Sequence, residues 1–400
     1  LSIKFGKTIF ASREELFSTT NENTFNNGPQ NVPKLVPDAI LSSNAKTDNN
    51  AGDEGDVFSN MIGYNTSLKE QVKQAIAAII YPANGLHTLL LGASGTGKTT
   101  FARLMYQYAV DSGYLTKLSP YAVFNCADYS GNSQLLLSYL FGYRKGAFTG
   151  ADKDRLGLID KANNGILFLD EVHRLPPEGQ EMLFPLIDHG YFRRLGETNN
   201  IHKANIRLIL ATTENPNASI LRTFMRRIPC IITIPDLASR PFEDRLNLIY
   251  NFFAEETKKI NIPITVPAEV IKFLSSYECK GNIGQLKNDI KVICAKALVE
   301  YITEHQDHII IKLSQIIKYF INNEITTYNK YANLYKNPIL GKLSDITFNP
   351  EDISKNQLFI NSLISSSYQP EEDFYAALLK SSSTYFKQRL PIEVIKNNIN

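Results

Sequence analysis

Gly92-Ala93-Ser94-Gly95-Thr96-Gly97-Lys98-Thr99 is the stretch that decides the fold. It fits G-x-x-x-x-G-K-[ST], follows the apolar run His87 to Leu91 directly, and opens a helical pattern through Leu104 and Tyr108. The glycines are needed because the loop N–H groups must all turn inward toward phosphate oxygens, and the helix N-terminus that follows adds its positive dipole end. The pattern assigns Gly92 through Thr99, with Thr100, to a nucleotide phosphate site. Lys98 reaches the β- and γ-phosphates and Thr99 ligates magnesium, so the cofactors expected are ATP and Mg²⁺.

Working outward, Ile166-Leu167-Phe168-Leu169-Asp170-Glu171 is an apolar run ending in two acids. On a parallel strand both carboxylates fall at the carboxyl edge, the crevice where open α/β sheets bind ligands. Asp170 can hold the magnesium and Glu171 can orient or deprotonate the attacking water. Such a run alone is more often a solvated strand end; its pairing with the loop at Gly92 makes the functional reading dominate. Ile206 to Ala211 leads into Thr212-Thr213-Glu214-Asn215, where Thr213 can sense the γ-phosphate or place the water, or simply cap a turn. Arg222, Arg226 and Arg227 cluster before the last apolar run; either they supply positive charge to a transferring phosphoryl group or they are solvated helix residues.

Five short apolar runs, His87 to Leu91, Tyr121 to Asn125, Ile166 to Leu169, Ile206 to Ala211 and Cys230 to Ile234, suit parallel strands buried on both faces. The spacing leaves room for crossover helices, which predicts an α/β fold with a three-layer α/β/α core on a five-stranded parallel sheet over 61–235. After Pro235 helical periodicity takes over. Phe242, Leu246, Ile249 and Phe253 follow Ser239 as an N-cap, and Ile283, Leu286, Ile290, Ile293 and Ala297 repeat the rule, which predicts a smaller all-α lid over 236–323. Residues 1–60 read as an arm and linker, and 324–400 as a linker with one or two helices. Lys+Arg 42 against Asp+Glu 40 leaves a net charge of +2, so the chain as a whole is no polycation. Cys126, Cys230, Cys279 and Cys294 show no metal spacing and read as reduced cytoplasmic thiols, and no apolar stretch approaches a membrane span.

Between the second and third runs lies Leu140-Phe141-Gly142-Tyr143-Arg144-Lys145-Gly146-Ala147-Phe148-Thr149-Gly150-Ala151. From composition alone this is a flexible loop with an exposed Phe, suited to a partner contact. Gly146 to Ala151 reads GAFTGA, and here the chain resembles the AAA+ domain of sigma-54-dependent transcription activators. The order of motifs over about Met61 to Asn323 agrees: phosphate loop, Asn125-Cys126-Ala127, GAFTGA, Asp170-Glu171, then Gly190-Tyr191-Phe192-Arg193-Arg194-Leu195-Gly196. The resemblance implies an ATP-hydrolysing P-loop ring, usually a hexamer. Its loop, Gly146, Ala147, Phe148, Thr149, Gly150 and Ala151, grips sigma-54 and remodels RNA polymerase at promoters. It also implies that Asn125 couples Glu171 to nucleotide state, and that Arg226 or Arg227 is the finger reaching the next subunit's ATP.

Three departures stand out: Gly284 occupies the place of the family's sensor arginine, the Leu221 to Pro229 segment lacks F-R-x-D-L, and Tyr139 replaces an acid. Asp170-Glu171-Val172-His173, the wording GNIGQL and RTFMRRIP resemble the branch of the levanase-operon regulator, which implies control of sugar phosphotransferase operons. In that branch a DNA-binding domain precedes the ATPase and phosphotransferase-regulated domains follow it. The expectation is therefore a fragment, with DNA binding outside the chain and residues 324–400 leading toward a regulatory domain. Two other readings are a nucleotide-binding AAA+ scaffold without turnover, whose mark would be loss of Lys98, Asp170 or Glu171, and a general AAA+ remodeller, which would lack GAFTGA.

Overall fold

The computed structural model describes residues 57–314, 316 and 343–351, apart from 83, 130, 217–219 and 306, all of them in one unit. The expectations for the arm before residue 57, and for most of the tail after 323, lie outside the described residues. Strands β1 (Thr88–Leu91) and β2 (Tyr121–Asn125) are followed by a small hairpin, β3 (Gly142–Tyr143) and β4 (Arg155–Leu156). Next come β5 (Gly165–Asp170), a second hairpin of β6 (Tyr191–Phe192) and β7 (His202–Lys203), and the strands β8 (Ile206–Thr212) and β9 (Cys230–Thr233). The five apolar runs form one sheet in the order β2-β5-β8-β1-β9, every pairing parallel. This is the predicted five-stranded core.

Alternation along these strands builds the layers, because successive side chains point to opposite faces. Leu89, Leu167, Leu169, Leu208 and Leu210 enter one apolar cluster with Leu136, Leu140 and Phe141 of helix α3 (Ser133–Phe141). Leu90, Ile166, Phe168, Ile209 and Ala211 enter the other, with Val72, Ala75 and Ile79 of α1 (Lys69–Ile80) and Phe101, Ala102 and Met105 of α2 (Lys98–Asp111). Burial on both faces is why these runs carry almost no polar residue.

Beyond the core lie the helices Phe242–Ile260, Ala268–Ser276 and Asn282–Glu304. Leu246, Ile249, Phe253, Leu286, Ile290, Ile293 and Ala297 are buried together, as their periodicity requires. Two expectations are corrected. The lid is not all-α: β10 (Ile264–Val266) pairs in parallel with β11 (Ile309–Ile310) and antiparallel with β12 (Ile346–Phe348). Strands of two and three residues are too short to give a periodic signal, and β12 pairs with a segment about eighty residues earlier in the chain. Ser239 also does not cap the first lid helix. Its hydroxyl donates to Asp236 O at 2.8 Å, and the helix starts at Phe242 behind Pro241.

Leu343, Ile346 and Phe348 are buried in the lid cluster, and Phe348 stacks on Phe253 at 5.8 Å. The lid core therefore extends into the stretch read as a linker. Truncating Phe348 to Ala should destabilise the lid by about 3–5 kcal/mol, seen as an earlier unfolding midpoint in urea; an unchanged midpoint would show that β12 is dispensable.

Candidate functional site

The carboxyl edge of the sheet gathers the predicted groups. β1 runs into the glycine loop, β5 ends at Asp170, β8 ends beside Thr213, and Asn125 closes β2 in register with Asp170. The loop requires its glycines: Gly95 and Gly97 have φ of 75° and 103°, left-handed values that strain any residue with a Cβ. Gly97 sits at the N-cap of α2, so the first helical residue is Lys98.

Inside the loop, the Lys98 ammonium donates to Gly92 O at 2.8 Å and Ala93 O at 3.0 Å. Burial pulls its pKa down from the ordinary lysine value, while the charges of Glu171, Asp170 and Asp236 oppose the shift. Thr99 Oγ1 donates to Asp170 Oδ2 at 3.1 Å, so hydroxyl and carboxylate present two hard oxygens to one point. Among the described residues no three His, Cys, Asp or Glu side chains cluster as a metal cage. One carboxylate and one hydroxyl, completed by phosphate oxygens and water, is the donor set that suits magnesium. A cavity of about 490 Å³ lies against the loop, lined by Lys98, Thr99, Asp170, Glu171, Arg240 and Lys287.

Glu171 is held in an uncommon backbone conformation, φ 49°, which costs a non-glycine residue roughly 1–2 kcal/mol. Its carboxylate is fixed from the neighbouring strand end: Thr213 Oγ1 donates to Oε2 at 2.9 Å. His173 also reaches this carboxylate, with Nδ1 3.3 Å from Glu171 Oε2 and 2.9 Å from Thr212 Oγ1, while Nε2 lies 3.3 Å from Glu214 Oε1. The imidazole is nearly enclosed, 4% exposed, so it acts as a fixed strut. Sequence reasoning passed over this role of His173, although the residue stood in the Asp170-Glu171-Val172-His173 string. Asn125 is not bonded to Glu171 here. Its amide donates to Asp128 Oδ1 at 3.1 Å and its carbonyl accepts from Ala127 N at 3.0 Å.

Gly146 to Ala151 stands between β3 and β4. Backbone bonds close it, from Gly146 N to Ala151 O and from Ala151 N to Phe148 O, and Phe148 meets the ring of Tyr143 edge-on at 4.9 Å. Thr149 is exposed. The root of the loop is tied to the β6–β7 connection: Arg144 N donates to Leu195 O, Arg144 Nε is 3.1 Å from the buried carboxylate of Glu197, and Ala147 packs on Gly196.

Residues 61–229 match the sigma-54 interaction domain family. The transcriptional regulatory protein LevR of Bacillus subtilis is 48% identical over 246 residues, 62% of this chain and 26% of LevR. The transcriptional regulatory protein DagR of Salmonella typhimurium is 44% identical over 252 residues, 63% of this chain and 27% of DagR. An uncharacterized protein in the HyuA 5' region of a Pseudomonas species is 34% identical over 209 residues, 50% of this chain and 68% of that protein. The chain belongs to the sigma-54 interaction domain family. It stands in the branch of LevR and DagR, with the AAA+ P-loop fold, and spans about a quarter of the length of those two relatives.

Within this sigma-54 interaction domain the three arginines part company. Arg227 is committed within the chain, its Nε 2.7 Å from Asp188 Oδ2 and its guanidinium 4.2 Å over the Phe184 ring. Arg222 and Arg226 are exposed. No disulfide joins the four cysteines; burial pushes the Cys126 and Cys294 thiols up to about 12, so they stay protonated. No helix among the described residues is long and apolar enough to cross a membrane.

Replacing Thr213 with Val should free the Glu171 carboxylate and lower nucleotide turnover by about ten- to a hundredfold at unchanged nucleotide affinity. Steady-state hydrolysis beside equilibrium binding checks this, and unaltered turnover would mean that His173 alone orients Glu171.

Proposed function

We propose that this chain is the ATP-hydrolysing module of a sigma-54-dependent transcription activator, acting in an oligomeric ring. The observation that carries the proposal is the joint placement, in one unit, of the Thr99–Asp170 pair, the Thr213-oriented Glu171 and a GAFTGA loop whose Thr149 is exposed. Residues 61–235 form the nucleotide core and 236–323 the bulk of the lid.

In the proposed reaction the loop from Gly92 to Thr100 binds the phosphates of ATP through backbone N–H groups, and Lys98 neutralises the terminal phosphates. Thr99 and Asp170 would hold Mg²⁺, which when bound stabilises charge on the phosphate oxygens. Glu171 orients a water and takes its proton as the water oxygen bonds to the γ-phosphorus. The bond from that phosphorus to the β–γ bridging oxygen breaks, leaving ADP and phosphate. Thr213 and His173 keep the Glu171 carboxylate aimed, and Asn125, at the adjoining strand end, is suited to transmit nucleotide state. Arg226 is the better finger for a neighbouring subunit, because Arg227 already has Asp188. The ring is proposed as a hexamer.

Work is delivered through the Gly146–Ala151 loop. Its root is bonded to the β6–β7 connection, so movement at the carboxyl edge passes to Phe148 and Thr149, which contact sigma-54 RNA polymerase. The resemblance to the levanase-operon-regulator branch implies that the target promoters are those of sugar phosphotransferase operons and that DNA binding belongs to a domain outside this chain. The setting is the cytoplasm. A second reading, an AAA+ scaffold that binds nucleotide without turnover or a general remodeller without sigma-54 specificity, would call for loss of Lys98, Asp170 or Glu171, or of GAFTGA, and the chain keeps them all.

Glu171→Ala should bind ATP within about twofold of the wild type and hydrolyse it at least about a hundredfold more slowly. Equal hydrolysis by wild type and variant would remove Glu171 from the reaction, and no hydrolysis by the wild type would favour the scaffold. Thr149→Ala should keep its ATPase rate yet fail to drive promoter opening by sigma-54 polymerase on supercoiled DNA. Normal opening by that variant would refute the loop's coupling role.

A further inference from the structure

Three successive carbonyls of the phosphate loop accept hydrogen bonds from outside the core. Asn282 Nδ2 donates to Ser94 O at 3.0 Å, Gly284 N donates to Gly95 O at 3.1 Å, and Arg240 Nη2 donates to Thr96 O at 2.9 Å. All three donors belong to the lid or to the segment leading into it. The approach is close: a Cβ on Gly95 would stand 2.2 Å from Gly281 O, and one on Gly284 would stand 3.3 Å from Gly95 Cα. Asn282 is 4% exposed and sits at φ 56°, a conformation that asparagine tolerates better than most residues. Its Oδ1 also accepts from Leu237 N at 2.9 Å, so one side chain joins the entry segment, the last lid helix and the loop.

Each of these carbonyls shares a planar peptide with the N–H of the next residue, Gly95, Thr96 and Gly97. Those are loop N–H groups of the kind that face phosphate. A peptide whose N–H donates to an anion is polarised, and its carbonyl becomes a stronger acceptor. Phosphate on one side of the loop and the lid on the other therefore pull on the same three peptide groups.

We propose that Asn282, Gly284 and Arg240 are positioning residues that couple the lid to the phosphate loop through its backbone carbonyls. The proposal rests on the nucleotide reading above and deepens it. Gly284, at the position where an arginine was expected, lets backbone meet backbone; the lid then senses the loop's peptides where a charged side chain would have sensed the nucleotide. Because such coupling is reciprocal, whatever ATP adds to lid stability, the lid adds to ATP affinity.

The test uses the full chain with Mg-ATP, measuring ATP affinity by titration and amide hydrogen exchange over 282–286. The amide of Gly284 is itself one of the three donors. In the wild type ATP should slow this exchange at least about fivefold. Asn282→Asp keeps the acceptor for Leu237 N but loses the donor to Ser94 O. In that variant the slowing should largely disappear and ATP affinity should fall by a matching factor. Should Asn282→Asp not fold, Gly284→Ala, which pushes a methyl group against Gly95, carries the same expectation. Equal slowing by ATP in wild type and folded variant would overturn the proposal while leaving the nucleotide site intact. Absence of ATP binding by the wild type would overturn both.

Discussion

A loop that offers its N–H groups to a phosphate must send its carbonyls elsewhere, and buried carbonyls need donors. From Gly92 to Gly97 each one has a donor. Lys98 Nζ serves Gly92 and Ala93, with Thr96 Oγ1 also on Ala93; Asn282, Gly284 and Arg240 serve Ser94, Gly95 and Thr96; and Phe101 N serves Gly97 as α2 begins. The loop is thus held by its own lysine, by the helix it starts and by the lid. A single backbone constraint ties the position of the lid to the phosphate loop of the core.

The same economy governs the sheet edge. Parallel strands buried on both faces have little room for polar groups except at their ends, so the chemistry collects where β1, β5 and β8 stop. Asp170 faces Thr99 on one side, and Glu171 turns through a left-handed conformation toward Thr213 and His173 on the other. Two adjacent acids are separated by a backbone reversal and so receive different partners. The cost of that reversal is repaid by bonds which neither a regular strand nor a regular helix would allow.

The GAFTGA loop is shaped by its root more than by its tip. Its Gly146 and Gly150 have open space around them, whereas Gly142 is pressed against Arg155 O and Gly196 against Ala147. Arg144, Glu197 and His202 are linked beneath it, with Glu197 1% exposed, Arg144 Nε 3.1 Å from its carboxylate and His202 Nε2 2.7 Å from it. Two glycines with open space around them and an exposed Thr149, above a root that is fixed, are the arrangement a lever requires.

Residue order alone determined the α/β/α core and the phosphate loop. Buried parallel strands announce themselves as apolar runs, and the loop needs glycines at fixed spacing, so both are local requirements written locally. The helices of the lid were legible for the same reason. Its small sheet was not, because three strands of two or three residues from distant segments carry no period. Asp170, Glu171 and Thr213 could be named from strand ends, but which group Glu171 bonds depends on β5 and β8 being neighbours. His173, Asn282 and Arg240 gained their roles only in three dimensions: each is an ordinary polar residue in sequence, and what it does is set by the chain that folding brings within 3.3 Å of it.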